Sequence, residues 1–190
     1  MHSTDILVSG GGIAGLVTAA GFADLGFSVT LVDPSSPPET SDMDGSDLRS
    51  TAYLKPACDL LDRIGLWQDL APDATPLETL RVIDSSGNPP EARTVRAFRS
   101  ADLGEPAFGW NLPNWLTRKI LAEHLKRAKG IDLRFGTGFA DIVTREREAI
   151  VRLTDGTRIR TLLAVAADGR SSPLRDAVGI GTEISRYGQK

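Results

Sequence analysis

The sequence predicts an α/β fold of the Rossmann-like kind, and three observations support that prediction. An apolar strand over residues 6–8 runs directly into the glycine-rich turn G-G-G-I-A-G at residues 10–15, which opens an apolar helix. A second strand over residues 29–32 ends in Asp33, so strand, turn, helix, strand and acid follow one another within about 30 residues. Residues 161–167 then form a nearly continuous apolar run, which is typical of a parallel strand covered on both faces.

The glycine-rich turn matches the G-x-G-x-x-G fingerprint of dinucleotide-binding folds. Gly10 permits the tight turn, Gly12 leaves room for a pyrophosphate, and Gly15 lets the helix pack closely on the strand. The helix that Ile13 and Ala14 open presents N–H groups and a partial positive charge to the phosphates. These five residues are therefore predicted to bind the cofactor. The competing interpretation is a glycine-rich turn in an ordinary βαβ unit.

The acid at the end of the second strand adds to this prediction. Asp33 lies 18 residues after Gly15, where a carboxylate can accept hydrogen bonds from both hydroxyls of a ribose. Because the acid and the glycines occur in the order that the fold requires, the sequence predicts an adenine dinucleotide as the ligand.

The middle of the chain predicts a helix and a pair of strands. A polar, proline-rich loop occupies residues 34–47, and residues 51–64 have helical apolar spacing that ends at Gly65. Residues 77–84 and 92–98 are predicted as strands, separated by the turn-rich segment 85–90. We expect the loops around Asp42 and Asn88 to be the most mobile.

The rest of the chain predicts a helix, four strands and a short helix. The helix covers residues 114–129 and stops at Gly130, and the strands cover residues 131–135, 138–144, 149–153 and 157–167. Pro173 is placed to begin a short helix over residues 173–178. A further strand is predicted to begin near Glu183.

Composition excludes several classes of protein. The 190 residues carry a net charge of −3, with 41% hydrophobic and 25% charged residues, which is ordinary for a soluble globular domain and gives no reason to expect nucleic acid binding. No apolar run approaches the roughly 20 residues of a membrane span. The single cysteine, Cys58, cannot form an internal disulfide, and the N-terminal residues do not resemble a signal peptide, so a cytoplasmic protein is expected. No spacing of histidine, cysteine and acidic residues predicts a metal site.

Two further segments, together with the glycine turn, make the chain resemble a known family. Residues 47–54, D-L-R-S-T-A-Y-L, place Arg49 before a predicted helix, and residues 166–175 match the pattern A-D-G-x-x-S-x-x-R. The three features in order resemble the FAD-dependent aromatic hydroxylases, the p-hydroxybenzoate hydroxylase-like monooxygenases. Within that group, the segments 64–67 and 187–189 look most like the ubiquinone-biosynthesis hydroxylases.

The resemblance assigns further cofactor-binding residues. Arg49 is expected to place its guanidinium against the flavin pyrophosphate, and Asp168 and Gly169 to face both that pyrophosphate and the passing nicotinamide cofactor. Arg118 fits the family pattern R-x-x-L-x-x-x-L as a flavin-contacting side chain. The competing interpretations are a solvated loop arginine, an ordinary Asp-Gly turn and a surface arginine on a helix. No catalytic side chain can be assigned.

The family resemblance also implies the domain organisation. It implies a glutathione-reductase-type FAD-binding domain over residues 1–75 and 100–182, with part of an interleaved β-sheet substrate domain over residues 76–99 and 183–190. The family's second flavin motif, G-D-A-A-H, does not occur in the sequence. The chain therefore resembles the N-terminal half of such an enzyme, truncated after Lys190. We expect it to be inactive alone and to self-associate.

The implied activity is NAD(P)H-dependent hydroxylation of a small aromatic substrate with FAD and O2, the substrate being a polyprenyl phenol of ubiquinone biosynthesis. Peripheral membrane association of the whole enzyme is a further implication. Two alternatives remain open. One is another flavoprotein of the same cofactor fold, such as a prenyl reductase or a halogenase, and the other is a non-catalytic FAD- or nucleotide-binding remnant.

Overall fold

The computed structural model describes residues 2–188, which form two compact units. The first unit contains residues 2–37 and 121–188, and the second contains residues 38–120. The first part of the chain forms β1 (His2–Ser9), α1 (Ile13–Asp24), β2 (Val29–Asp33), β3 (Ser50–Leu54), α2 (Lys55–Arg63), α3 (Trp67–Leu70), β4 (Thr75–Pro76), β5 (Thr79–Ser86) and β6 (Glu91–Arg99). The remainder forms β7 (Gly109–Pro113), α4 (Asn114–Arg127), β8 (Ile131–Phe135), β9 (Phe139–Thr144), β10 (Ala149–Leu153), β11 (Arg158–Ala166) and α5 (Pro173–Ala177).

The first unit is built on a six-stranded sheet with the order β8-β2-β1-β11-β10-β9. The first four strands in that order are parallel, and β10 and β9 pair antiparallel at one side. The strands are apolar because they bury their side chains in a common core, whose fully buried members include Leu7, Val32, Val151, Leu153 and Ile159. The predicted α/β, Rossmann-like fold is confirmed.

Small residues let α1 lie close to the sheet of the first unit. The helix buries Gly15, Leu16, Ala19 and Ala20, and only one of these side chains is large. The helix begins immediately after the turn that ends β1, with Gly12 as its N-cap. The parallel pairing of β1 with β2 therefore places the end of β1, the start of α1 and the end of β2 at one edge of the sheet.

The second unit contains a three-stranded sheet and a hairpin. The sheet has the order β3-β7-β4, and the hairpin pairs β5 with β6 antiparallel. The hairpin confirms the two strands that the sequence predicted over residues 77–84 and 92–98. The sequence interpretation did not predict β4, β7 or α3.

One predicted helix begins later than the sequence suggested. The pattern predicted a helix over residues 51–64, but residues Ser50–Leu54 form β3 and the helix α2 starts at Lys55. Pro56 explains the difference: in a helix that began at Thr51, it would lack the N–H needed to bond the carbonyl of Ala52. At the start of α2 the same proline removes no helical bond. Arg49 accordingly precedes a strand rather than a helix.

The prediction for the last apolar strand is wrong in one respect. It formed as expected, but Leu162 is 67% exposed and Leu163 is 45% exposed, so the strand is not covered on both faces. Along β11, β1 pairs with residues 159–166, whereas β10 pairs only with residues 158–161. Within residues 2–188, no strand pairs with the second edge of residues 162–166. The segment 162–166 is therefore apolar along its length but only partly buried by residues 2–188.

The strand predicted from Glu183 does not form in the described residues. Residues 181–187 have no regular secondary structure, because extended backbone becomes a strand only when a neighbouring strand pairs with it. Residues 189 and 190 lie outside the described residues. They are the end of the proposed substrate-domain portion, and residue 189 is also the last of the segment 187–189 that carried the family resemblance. The division into cofactor and substrate domains stays a prediction.

Candidate functional site

The turn between β1 and α1 requires glycine at two of its predicted positions. Gly10 has a φ of +112°, and a Cβ there would overlap the carbonyl of Ala167 and lie 2.7 Å from the amide nitrogen of Asp168. A Cβ on Gly15 would overlap the carbonyl oxygen of Gly10. The two glycines therefore let the turn pack directly against the end of β11, some 150 residues further along the chain.

Gly12 differs from its two neighbours in the fingerprint. No protein atom lies within 4 Å of where its Cβ would be, and its φ of −73° is accessible to any residue. It is the N-cap of α1, no side chain caps the helix there, and the first turn contains no acid. The space beside Gly12 and the amides of Ile13 and Ala14 at a positively polarised helix end have the features that suit an anion.

Asp33 holds the glycine turn from the end of β2. Its Oδ2 accepts a hydrogen bond from the amide of Gly11 at 2.6 Å, and its Oδ1 accepts one from the amide of Ser35 at 2.7 Å. A carboxylate oxygen carries two lone pairs and is the kind of acceptor that suits a ribose hydroxyl.

Gly11 is a closely packed residue of the candidate site that the sequence interpretation did not single out. A Cβ there would lie 2.9 Å from the Cβ of Asp33 and 2.8 Å from the ring of Phe135. It occupies a variable position of the G-x-G-x-x-G pattern, so the fingerprint carried no signal for it. The run of three consecutive glycines was the available clue.

Asp168 joins this group from the end of β11. Its Oδ2 accepts hydrogen bonds from the hydroxyl of Ser9 at 3.3 Å and from the amide of Leu174 at 3.2 Å. Its Oδ1 is buried and has no hydrogen-bond partner among residues 2–188. Gly169 follows with a φ of +88°, which glycine adopts without strain. A buried carboxylate oxygen without a partner is available to a ligand hydroxyl.

Arg49 lies in the second unit and is 84% exposed. Its guanidinium donates two hydrogen bonds to the carboxylate of Asp47, at 2.8 and 2.7 Å, and Asn114 donates a third at 3.0 Å. The bonds from Arg49 and then from Asn114 hold the pKa of Asp47 well below its usual range, and Asp47 raises the pKa of Arg49. A phosphate would have to compete with Asp47 for this guanidinium.

The other predicted residues are distributed between the two units. Arg118 lies on α4, in the portion belonging to the second unit, and is partly buried. The predicted glycines, Asp33 and Asp168 converge in the first unit.

Within residues 2–188, no group of three or more potential metal ligands is found, and no helix is long and apolar enough to cross a membrane.

The second unit contains an apolar cavity of about 580 Å³. Its walls come from β3, from the segment that leads into the hairpin, from the hairpin itself and from the residue that precedes β7. The lining residues are Ala52, Leu54, Leu77, Thr79, Leu80, Phe98 and Phe108. The volume and the apolar, aromatic lining are typical of a site for a small hydrophobic molecule.

A family model covers nearly the whole chain. Residues 3–188 match the family model described as an FAD binding domain. The chain belongs to this FAD-binding family. The resemblance to the FAD-dependent hydroxylases that the motifs suggested is thereby confirmed.

Curated relatives of the chain include two enzymes named for ubiquinone. It is 32% identical over 186 residues to the ubiquinone hydroxylase UbiL of Rhodospirillum rubrum, covering 97% of this chain and 42% of that protein. It is 27% identical to the 3-demethoxyubiquinol 3-hydroxylase of Escherichia coli, covering 98% of this chain and 46% of that protein. The chain thus spans less than half the length of these relatives.

Solved structures confirm the fold. A variant of PqsL from Pseudomonas aeruginosa matches with a TM-score of 0.81 at 21% identity, over 98% of this chain and 48% of that one. The p-nitrophenol 4-monooxygenase PnpA of Pseudomonas putida matches with a TM-score of 0.76 at 22% identity, over 94% and 44%.

The residues of the first unit fit FAD. The open space beside Gly12 and the uncapped start of α1 suit a pyrophosphate, and the carboxylate of Asp33 at the end of β2 suits a ribose. The buried Oδ1 of Asp168 suits a further hydroxyl of the same ligand. These are polar groups that converge at one edge of the sheet, where ligands of open α/β sheets bind.

Proposed function

We propose that this chain is the FAD-binding part of an NAD(P)H-using aromatic-ring monooxygenase that hydroxylates a polyprenyl phenol in ubiquinone biosynthesis. The observation that carries the proposal is the cradle formed by Gly10, Gly12 and Asp33 with the orphaned carboxylate oxygen of Asp168. The names of the R. rubrum and E. coli relatives support the substrate class.

In this proposal the chain's own residues bind and orient the cofactor. The amides at the start of α1 hold the pyrophosphate, Asp33 holds the adenosine ribose, and Asp168 accepts a hydrogen bond from a further hydroxyl. Bound FAD supplies the redox chemistry: NAD(P)H provides two electrons, one oxygen atom of O2 enters the ring, and the other leaves as water. Arg49 contributes a positive charge to the phosphates once it has left Asp47.

The remaining parts of the proposal concern the whole enzyme. The nicotinamide cofactor passes Asp168 and Gly169 transiently, and Arg118 contacts the flavin. Residues 76–99 contribute to a substrate-domain sheet, and the apolar cavity that they help to line suits a hydrophobic aromatic substrate. The enzyme acts in the cytoplasm, in peripheral contact with the membrane that holds its polyprenyl substrate.

Calorimetric titration tests the proposal. The chain is titrated with FAD, with ADP-ribose and with NAD, and we expect FAD to bind most tightly because it can use both the adenosine cradle and Asp168. Tighter binding of NAD than of FAD would overturn the assignment of FAD as the resident cofactor.

A further inference from the structure

The β5–β6 hairpin of the second unit has two faces of different character. Every residue of β5 and β6 except Ser86 is exposed. Residues that pair across the strands share a face, and successive residues along a strand alternate between the faces. Leu80 and Phe98 pair and line the apolar cavity, so the cavity lies on one face of the hairpin. The opposite face contains the pairs Thr79–Arg99, Arg81–Ala97 and Ile83–Val95.

Four large side chains form this opposite face, the arginine face: Arg81, Ile83, Val95 and Arg99. Ile83 is 49% exposed and Val95 is 56% exposed. Neither guanidinium forms an ion pair with a carboxylate of residues 2–188, and Asp102 accepts only from the backbone amide of Arg99, at 3.2 Å. Two unpaired positive charges therefore lie beside a half-exposed aliphatic pair.

Arginines of the antiparallel strands in the first unit are arranged differently, since they have acidic partners. Arg145 and Arg160 lie 3.1 and 3.7 Å from the carboxylate of Glu148. Arg152 lies 3.8 Å from the carboxylate of Asp141. The absence of such partners on the arginine face leaves its charge available to an external anion.

The acidic residues of the hairpin lie on the face of the cavity. Asp84 pairs with Thr94 and Glu91 pairs with Ser86, and both pairs share the face of Leu80 by strand alternation. None of the hairpin residues described on the arginine face is acidic. A surface that approached this face would meet positive charge and aliphatic groups without carboxylates.

We propose that the arginine face docks flat on a bilayer that contains anionic phospholipids. Arg81 and Arg99 bind headgroup phosphates, while Ile83 and Val95 bury their side chains at the boundary of the acyl chains. Arginine suits this position because its apolar stem lies along the lipid while the guanidinium stays at the level of the headgroups. The inference deepens the membrane contact of the proposed function, on which it rests for its setting, by assigning a protein surface and a lipid charge.

The chemistry of the arginine face favours lipid over other anionic partners. The whole chain carries a net charge of −3, so attraction to an anion is local to this face. Single-stranded nucleic acids stack their bases on aromatic side chains, and none of the hairpin residues described on this face is aromatic. Half-exposed aliphatic side chains gain free energy on leaving water for the acyl boundary.

Vesicle flotation tests the proposal, because it separates bound protein from self-associated protein. The 190-residue chain is mixed with vesicles of phosphatidylcholine, or of equal parts of phosphatidylcholine and phosphatidylglycerol. We expect binding to the anionic vesicles alone, weakened by added salt. Arg81→Gln and Arg99→Gln should each weaken binding about 5-fold and together roughly 30-fold. Arg81→Lys with Arg99→Lys should retain most of the binding, and Ile83→Gln should weaken it.

Matched controls come from α2 in the same unit. Arg63 is exposed and Leu60 is 45% exposed, so Arg63→Gln and Leu60→Gln make the same chemical changes away from the hairpin and should leave binding unchanged. Thermal unfolding shows whether each variant is folded. Equal binding to neutral and anionic vesicles, no binding to either, or equal losses in the hairpin and α2 variants would overturn the inference. Binding to polyglutamate without binding to vesicles would assign an acidic protein instead and would also overturn it.

An FAD titration of the same samples separates this inference from the proposed function. Binding of FAD without arginine-dependent binding to anionic vesicles overturns the inference alone. Arginine-dependent binding to anionic vesicles without FAD binding supports the inference and overturns the proposed function.

Discussion

At the scale of single residues, the three glycines of the fingerprint have different physical roles. Substitution at Gly10 or Gly15 places a Cβ against backbone atoms, whereas the space beside Gly12 contains no protein atom. The sequence pattern assigned the tight turn to Gly10, the space for a pyrophosphate to Gly12 and the close helix packing to Gly15. It could not show that the turn packs against the end of β11, because that strand is distant in the sequence.

This difference predicts opposite outcomes for two similar substitutions. Gly12→Val should fold with nearly unchanged stability but lose roughly tenfold or more in affinity for ADP-ribose, because the branched side chain occupies the path of the phosphates. Gly10→Val should be destabilised by about 2–4 kcal/mol through steric overlap and an unfavourable φ. Thermal unfolding and calorimetry measure the two effects. An unchanged ADP-ribose affinity in folded Gly12→Val would show that the phosphates bind elsewhere.

Asp33 is expected to contribute to binding through its charge. Asp33→Ala should weaken ADP-ribose binding by about 1–3 kcal/mol, the cost of losing charge-assisted hydrogen bonds to the ribose. The variant also loses the contacts to Gly11 and Ser35, so its thermal stability is measured alongside. Asp24→Ala, at the end of α1, is the control, and equal affinities in the two variants would remove Asp33 from the site.

The carboxylate of Asp47 predicts a pH-dependent effect on stability. Its pKa is lowered in the folded protein by Arg49 and Asn114, so its contribution is present above its unfolded pKa of about 4 and is lost as pH falls below that value. Asp47→Asn should therefore be less stable than the parent near neutral pH, with the difference shrinking in acid. Asp44→Asn is the control. A difference that grows as the pH falls would contradict the assignment.

At the scale of elements, periodicity and capping predicted most strands and helices. The predictions were wrong where tertiary contacts determine the secondary structure. A helix was predicted over residues 51–64, but its first residues form β3 instead, because they pair with β7. Residues 109–113 and 75–76 carry no strong alternation, so β7 and β4 could be recognised only from their pairing. The converging group of Asp33, Ser9 and Asp168 likewise depends on the parallel order of β2, β1 and β11.

The second half of β11 predicts self-association of the isolated chain. Leu162 and Leu163 are exposed, and the adjoining strand edge is unpaired within residues 2–188, a combination that favours association. Light scattering at several concentrations should show concentration-dependent growth that Leu163→Lys reduces. Leu25→Lys, at an even more exposed apolar position that directly follows α1, should not reduce it. A monomer across that range would contradict the prediction.

At the scale of the whole molecule, the fold and the class of cofactor could be predicted from the sequence, because a G-x-G-x-x-G turn between a strand and a helix has few structural solutions. The positions of Arg49 and Arg118 could not, since their roles rest on a family resemblance and both lie outside the unit that forms the cradle. The 580 Å³ cavity was also not predictable, because residues from four separate segments line it.

The central claim is that the first unit binds FAD through the turn that follows β1. The most direct measurement is a calorimetric titration of the parent chain and of Gly12→Val with FAD. The account predicts binding to the parent, tighter than that of NAD, and its loss in a Gly12→Val protein that remains folded. Equal FAD affinity in the two proteins, or tighter binding of NAD by the parent, would contradict it.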